Sequence, residues 1–68
     1  MDQEVFNMSL RKFLKVVGVT SQREIEQAVS NAIQNGSLGG DERLVASMTL
    51  ELSAINLRIP ITGEIQLK

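Results

Sequence analysis

Carboxylates and hydroxyls are the only side chains left for catalysis, because this 68-residue chain has no Cys and no His. That absence rules out a thiolate nucleophile, an imidazole base, a disulfide and a zinc site built on those ligands. Glu24 and Glu26 lie two residues apart in a helical segment, so they point to different sides. Asp41 and Glu42 fall in a glycine-flanked loop, which is a poor support for catalytic geometry. We interpret these acids as solvated surface residues and predict no enzyme, no cofactor and no metal site.

The glycine-rich stretch 36–40 does not match a ligand-binding motif. A Walker loop needs Gly-Lys-Ser/Thr leading directly into a helix, whereas an acidic pair and a strand follow here. The alternating acidic ligands of a calcium loop are also absent. We therefore expect a helix stop followed by a flexible connector.

Nucleic-acid binding is the alternative function. The formal net charge of −1 and the pI near 5.2 give little long-range attraction to phosphates. Two helices joined near residues 18–20 have the order of a helix-turn-helix, whose second helix reads the groove. However, Glu24 and Gln27 occupy positions that this motif fills with apolar residues, and Glu24 and Glu26 outnumber Arg23. A weak nucleic-acid-binding module of this kind is the second choice.

An apolar surplus on the first predicted helix indicates an interaction surface. Val5, Met8 and Val16 project away from the main apolar stripe and flank Lys12, so the apolar arc is wider than one hairpin needs. Exposed apolar patches often mark interfaces, and a lone hairpin has two unpaired edges. We predict a non-enzymatic protein–protein interaction module that self-associates as a homodimer or binds another protein. In the alternative, the hairpin covers both sides of the helix and the chain is monomeric.

The helices are predicted from apolar residues that recur at helical spacing. The first, about 3–17, has Asp2 as the favoured N-cap and ends at Gly18. Its apolar stripe is Phe6, Leu10, Phe13, Leu14 and Val17. The second, about 21–35, begins with the capping-box spacing of Ser21 and Glu24 and ends at Asn35-Gly36.

The rest of the chain alternates with a period of two after a loop at 36–43, which predicts strands at about 44–52 and 57–67. Apolar residues are even-numbered in the first strand and odd-numbered in the second. Paired residues must share a face, so a four-residue loop at 53–56 sets the register. The predicted pairs are Leu52–Leu57, Leu50–Ile59 and Met48–Ile61. Gly63 is expected to be a bulge or bend in one long strand, with a turn into a third strand as the competing interpretation.

The predicted fold is α+β, with two N-terminal helices followed by an antiparallel β-hairpin (ααββ) and the helices packed on one face of the hairpin. It forms a single small domain over residues 1–68. The acidic start and the short apolar stretches favour a soluble cytoplasmic protein without a membrane segment.

Two runs, residues 5–15 and 18–26, together with Gly63-Glu64-Ile65, resemble a family of short bacterial proteins of unassigned function. The resemblance spans most of the chain and implies a stand-alone small bacterial protein. It implies no activity, cofactor or catalytic residue.

Overall fold

The computed structural model describes all 68 residues and contains one long helix followed by a two-stranded hairpin. Two compact units divide the chain, Met1–Ser37 and Leu38–Lys68, and each is described by itself. The elements are α1 (Gln3–Gln34), β1 (Arg43–Leu52), a 3-10 turn (Ser53–Ile55) and β2 (Leu57–Gln66).

The prediction of two helices was wrong, because α1 continues without a break through residues 18–20. The apolar stripes of the two predicted helices lie on the same side of α1. Their residues are spaced 4, 3 and 4 positions apart from Leu10 to Ser21, and the same spacing repeats from Ser21 to Ala32. An 11-residue repeat keeps such residues on one nearly straight line along a helix. Gly18 costs only about 1 kcal/mol relative to Ala inside a helix, which the continuing hydrogen bonds offset. The ααββ order is thus corrected to one helix and a hairpin, within the α+β class.

Both ends of α1 have the predicted caps. The Asp2 carboxylate accepts hydrogen bonds from the backbone N–H groups of Glu4 and Val5 at 3.0 and 3.2 Å. At the other end, Gly36 has φ +83°, a left-handed conformation that glycine adopts without a side-chain penalty. The helix therefore begins and ends where its local sequence specifies.

The hairpin has the predicted register. Leu52 pairs with Leu57, Leu50 with Ile59 and Met48 with Ile61. Asn56, in the four-residue connection, has φ +54°, which Asn tolerates better than most residues. Gly63 is neither a bulge nor a turn, because it pairs with Ala46 in a ladder that continues to Gln66. The second strand is therefore one regular element.

Neither unit contains a buried residue. The half-buried side chains of α1 all lie beyond residue 16. They are Val17, Ser21, Ile25, Val29 and Ala32. In the strands, the half-buried side chains share one face of the hairpin. They are Leu44, Ala46, Leu50, Leu57 and Ile65.

Candidate interaction surface

The N-terminal segment of α1, residues 3–16, is exposed at every position. Phe6 and Phe13, the only aromatic residues of the chain, keep 47% and 54% of their surface in contact with solvent. Leu10 and Leu14, on the same side of the helix, are exposed to a similar extent. We call these four residues the Phe face. Sequence analysis placed them in a core stripe with Val17, yet only Val17 is half-buried.

A second apolar face lies on the other side of the same segment. Val5, Met8, Lys12 and Val16 follow one another at helical spacing, and Met8 is 72% exposed. We call these residues, which sequence analysis selected as the contact surface, the Val5 face. The ammonium group of Lys12 interrupts its apolar atoms. The segment therefore presents apolar side chains in two directions.

A row of charged residues lies beside Met8, on the side of the helix that faces away from Phe6 and Phe13. Glu4, Arg11 and Lys15 are seven and four residues apart, which places them along one side of the helix. The acid lies in the first turn of α1, where it complements the partial positive charge of the helix end. The two bases follow further along the segment. This charged row thus has opposite signs at its two ends.

The hairpin separates its apolar side chains from its polar ones more completely than the N-terminal segment of α1 does. Its polar face has two ion pairs, Arg43–Glu64 at 3.8 Å and Arg58–Glu51 at 3.9 Å. All four side chains are at least half exposed, so these pairs contribute little to stability. The one large apolar side chain on the polar face is Val45, 83% exposed.

A shallow, open cleft of about 220 Å³ lies on the hairpin. This volume is below the several hundred Å³ typical of small-molecule sites, and no charged side chain lines the cleft. The lining residues are Ala46, Ser47, Met48, Ile61, Thr62 and Gly63. The cleft therefore lacks the convergent polar groups that would orient a ligand.

Glu42 organises the turn before β1. Its carboxylate accepts hydrogen bonds from the backbone N–H groups of Gly39 at 2.7 Å, Gly40 at 2.9 Å and Asp41 at 3.2 Å. The bonds from Gly39 and then Gly40 lower the pKa of Glu42, because they stabilise its charged form. Its own backbone carbonyl accepts from the N–H of Leu67, which extends the hairpin pairing. Glu42 thus has a structural role in the loop that sequence analysis interpreted as a flexible connector.

The remaining candidate acids do not form a site. No group of three or more acidic side chains lies close enough together to hold a metal ion. The exposed Glu24 and Glu26 lie on α1, outside the hairpin turn that contains Asp41 and Glu42. No helix combines the length and the hydropathy that crossing a membrane requires.

Comparisons with known proteins give a family and no further relatives. Neither the curated proteins nor the solved structures include a match to this chain. One family model matches residues 1–68, the whole chain, and its description is that of a family of unknown function, DUF6494. The resemblance seen in the sequence is confirmed at this level, while the bacterial origin it implied stays a prediction. The chain belongs to the DUF6494 family of proteins of unknown function.

Proposed function

We propose that this protein is a non-enzymatic interaction module that associates with a second copy of itself through the N-terminal segment of α1. The observation that supports the proposal most is exposure: residues 3–16 contain seven large apolar side chains, and each keeps between 42% and 72% of its surface exposed. Contiguous apolar surface of this kind marks interaction sites in soluble proteins. The seven are Val5, Phe6, Met8, Leu10, Phe13, Leu14 and Val16.

A second copy of the chain is the occupant proposed for this surface. Oligomerisation is a common way for a chain of this size to complete a hydrophobic core.

The proposal includes a cytoplasmic location and no catalytic role. Nucleic-acid binding is not part of it, because α1 continues through residues 18–20 and lacks the turn of a helix-turn-helix. Acidic Glu24 and Glu26 also lie on the part of α1 that would have been the reading helix. Weak nucleic-acid binding, the alternative from the sequence, stays a prediction.

The experiment is light scattering coupled to size-exclusion chromatography, on the wild-type chain and on a Leu10→Gln/Phe13→Gln variant. Gln is a good helix former, so α1 is retained while two large apolar side chains of the Phe face are removed. We expect a dimeric wild type and at least a hundredfold weaker association in the variant. Val45→Thr, at an exposed apolar site on the hairpin, is the control and should stay dimeric. A double variant that associates as tightly as the wild type would reject this surface.

A further inference from the structure

The two outer edges of the hairpin differ in the backbone groups that they offer to a further strand. In an antiparallel pair, residues bonded to the paired strand alternate with residues whose N–H and C=O groups point outward. The N–H of Leu67 donates to the carbonyl of Glu42 at 3.2 Å, in register with the strand pairs, so the even-numbered residues of β1 are bonded inward. The odd-numbered residues of β1 and the even-numbered residues of β2 therefore face outward.

Pro60 interrupts the outer edge of β2. It pairs with Thr49 and lies at one of the outward-facing positions. Proline has no N–H, so the edge of β2 lacks a donor within the strand. β1 has no proline, and the sheet has only these two strands, so the edge of β1 is the one that can take another strand. Its outward-facing residues, all exposed, are Arg43, Val45, Ser47, Thr49 and Glu51.

The edge of β1 is complementary to itself when a second copy runs antiparallel to it. With Ser47 opposite Ser47 of the second copy, Arg43 lies opposite Glu51, twice by symmetry. Paired side chains share a face of the sheet, so each Arg43 lies on the polar face beside a carboxylate of the other copy. On the other face Leu44 meets Leu50. The apolar face of the hairpin thus continues across both copies.

The ion pairs within the hairpin extend into the same arrangement. Arg43 contacts Glu64 at 3.8 Å, and Arg58 contacts Glu51 at 3.9 Å. The side chains of Arg43 and Glu51 are 73% and 59% exposed, so each has room for a second partner. Paired edges place charges of alternating sign in a row: Arg58 and Glu51 of one copy, then Arg43 and Glu64 of the other. Networks of this kind contribute more than isolated surface pairs.

We propose that two copies of this chain pair their β1 strands antiparallel about Ser47 and form a four-stranded sheet of order β2-β1-β1-β2. Every outward N–H group of each β1 then donates to a carbonyl of the second copy. This inference goes beyond the proposed function, because it adds a contact on the hairpin between the same two copies. Either contact can form without the other.

Other registers lose the match of charges. A shift that sets Arg43 opposite Thr49 also sets Glu51 opposite Asp41, which places two acids together. The reverse shift sets Glu51 opposite Val45 and leaves Arg43 without a strand residue opposite it. A shift by one residue pairs apolar with polar side chains. Parallel strands in register would place Arg43 beside Arg43 of the second copy.

Hydrogen exchange measured by NMR tests the pairing on the unmodified chain. In the paired sheet, the outward N–H groups of β1 are bonded, whereas those of β2 face water. We expect the amides of Val45, Ser47 and Thr49 to exchange at least tenfold more slowly than those of Thr62 and Glu64. Equally fast exchange at both edges of a chain that light scattering shows to be dimeric would overturn the pairing and leave the proposed function intact. A wild-type chain that is monomeric throughout would reject both contacts.

Proline substitution gives a matched pair of variants. Ser47 and Thr62 pair with each other, and both N–H groups point outward, so neither substitution removes a hydrogen bond of the hairpin. Ser47→Pro removes a donor from the edge of β1 and should weaken association at least tenfold. Thr62→Pro removes one from the edge of β2 and should change association less than about threefold. Sedimentation velocity measures both, and equal weakening would overturn the pairing.

Charge exchange tests the register. Arg43→Glu sets an acid against Glu51, and Glu51→Arg sets a base against Arg43, so each variant alone should associate about tenfold more weakly at low salt. Mixed together, the two variants restore both ion pairs between copies and should associate within about threefold of the wild type. Glu64→Gln and Arg58→Gln remove the same ion pairs within the hairpin and serve as controls. Equal weakening by the controls, or a mixture as weak as the single variants, would overturn the register.

Discussion

The hairpin and the N-terminal segment of α1 are both rich in apolar residues, but they arrange them differently. In the hairpin, alternation puts every large apolar strand residue except Val45 on one face. The half-buried strand residues lie on that face, beside others that keep 43–57% of their surface exposed. In residues 3–16 of α1, apolar side chains point in two directions and all are exposed. The hairpin thus has the one-sided pattern of a packed element, whereas the segment has the pattern of a surface that needs a partner. This difference is the reason why the proposed contact between copies is placed on the segment.

The continuity of α1 is the feature whose disruption should have the largest effect. Gly18→Pro removes a helical hydrogen bond and clashes with the preceding turn, so we expect a loss of about 3 kcal/mol and a decrease in helicity. Circular dichroism with thermal unfolding measures both. If Gly18 instead separated two helices, proline there would be tolerated and the helicity would be unchanged.

The Val5 face is the next target. Replacing Val5, Met8 and Val16 together with Gln should leave α1 folded and weaken association about tenfold, roughly 1.4 kcal/mol. This effect is smaller than for the Phe face, since the Val5 face has no aromatic residue and contains Lys12. Sedimentation velocity over a concentration series gives the association constant. A larger loss than for Leu10→Gln/Phe13→Gln would make the Val5 face the main contact.

A smaller effect of opposite sign is expected for Gly18→Ala. Apart from the adjoining residues and the backbone of α1 itself, no atom lies within 4 Å of the added methyl group, and Gly18 has no left-handed conformation to lose. The substitution should therefore raise stability by up to about 1 kcal/mol. Thermal unfolding is the measurement. Destabilisation would mean that the small size of Gly18 serves a close contact between copies.

The hairpin and α1 also differ in how much of their structure the sequence predicts. The register of Leu52 with Leu57 follows from the change of apolar positions from even to odd, because a mispaired register would turn apolar side chains to the polar face. In α1, Gly18 and the Ser21–Glu24 spacing are local signals that occur both at helix ends and inside helices. The 4, 3, 4 spacing that continues from Leu10 to Ala32 predicts the single helix better, because it extends across the position of the predicted break.

The exposure of the Phe face could not be predicted in the same way. Phe6 and Phe13 have the spacing of core residues, and the spacing is the same whether they pack within the chain or against another copy. The sequence therefore identified the apolar stripe but did not predict that its N-terminal part is exposed. It did identify Val5, Met8, Lys12 and Val16 as exposed residues, since they lie outside that stripe.

The smallest expected effect concerns the turn of Glu42. Its pKa is lowered in the folded chain, so the stabilisation is present above the unfolded-state pKa and is lost as the pH falls through the folded-state pKa. Glu42→Gln should remove this acid sensitivity of the turn and leave α1 unchanged. Amide chemical shifts of Gly39 and Gly40 between pH 7 and pH 2 measure the effect. Shifts that titrate identically in the variant would assign the acid response to another group.

The molar mass of the wild-type chain in solution tests the central claim most directly. Light scattering coupled to size-exclusion chromatography, over a wide range of protein concentration, should give twice the 7.5 kDa of one chain, with dissociation only on strong dilution. A mass of 7.5 kDa at every concentration would contradict the account, because the N-terminal segment of α1 would then be exposed without a second copy to cover it.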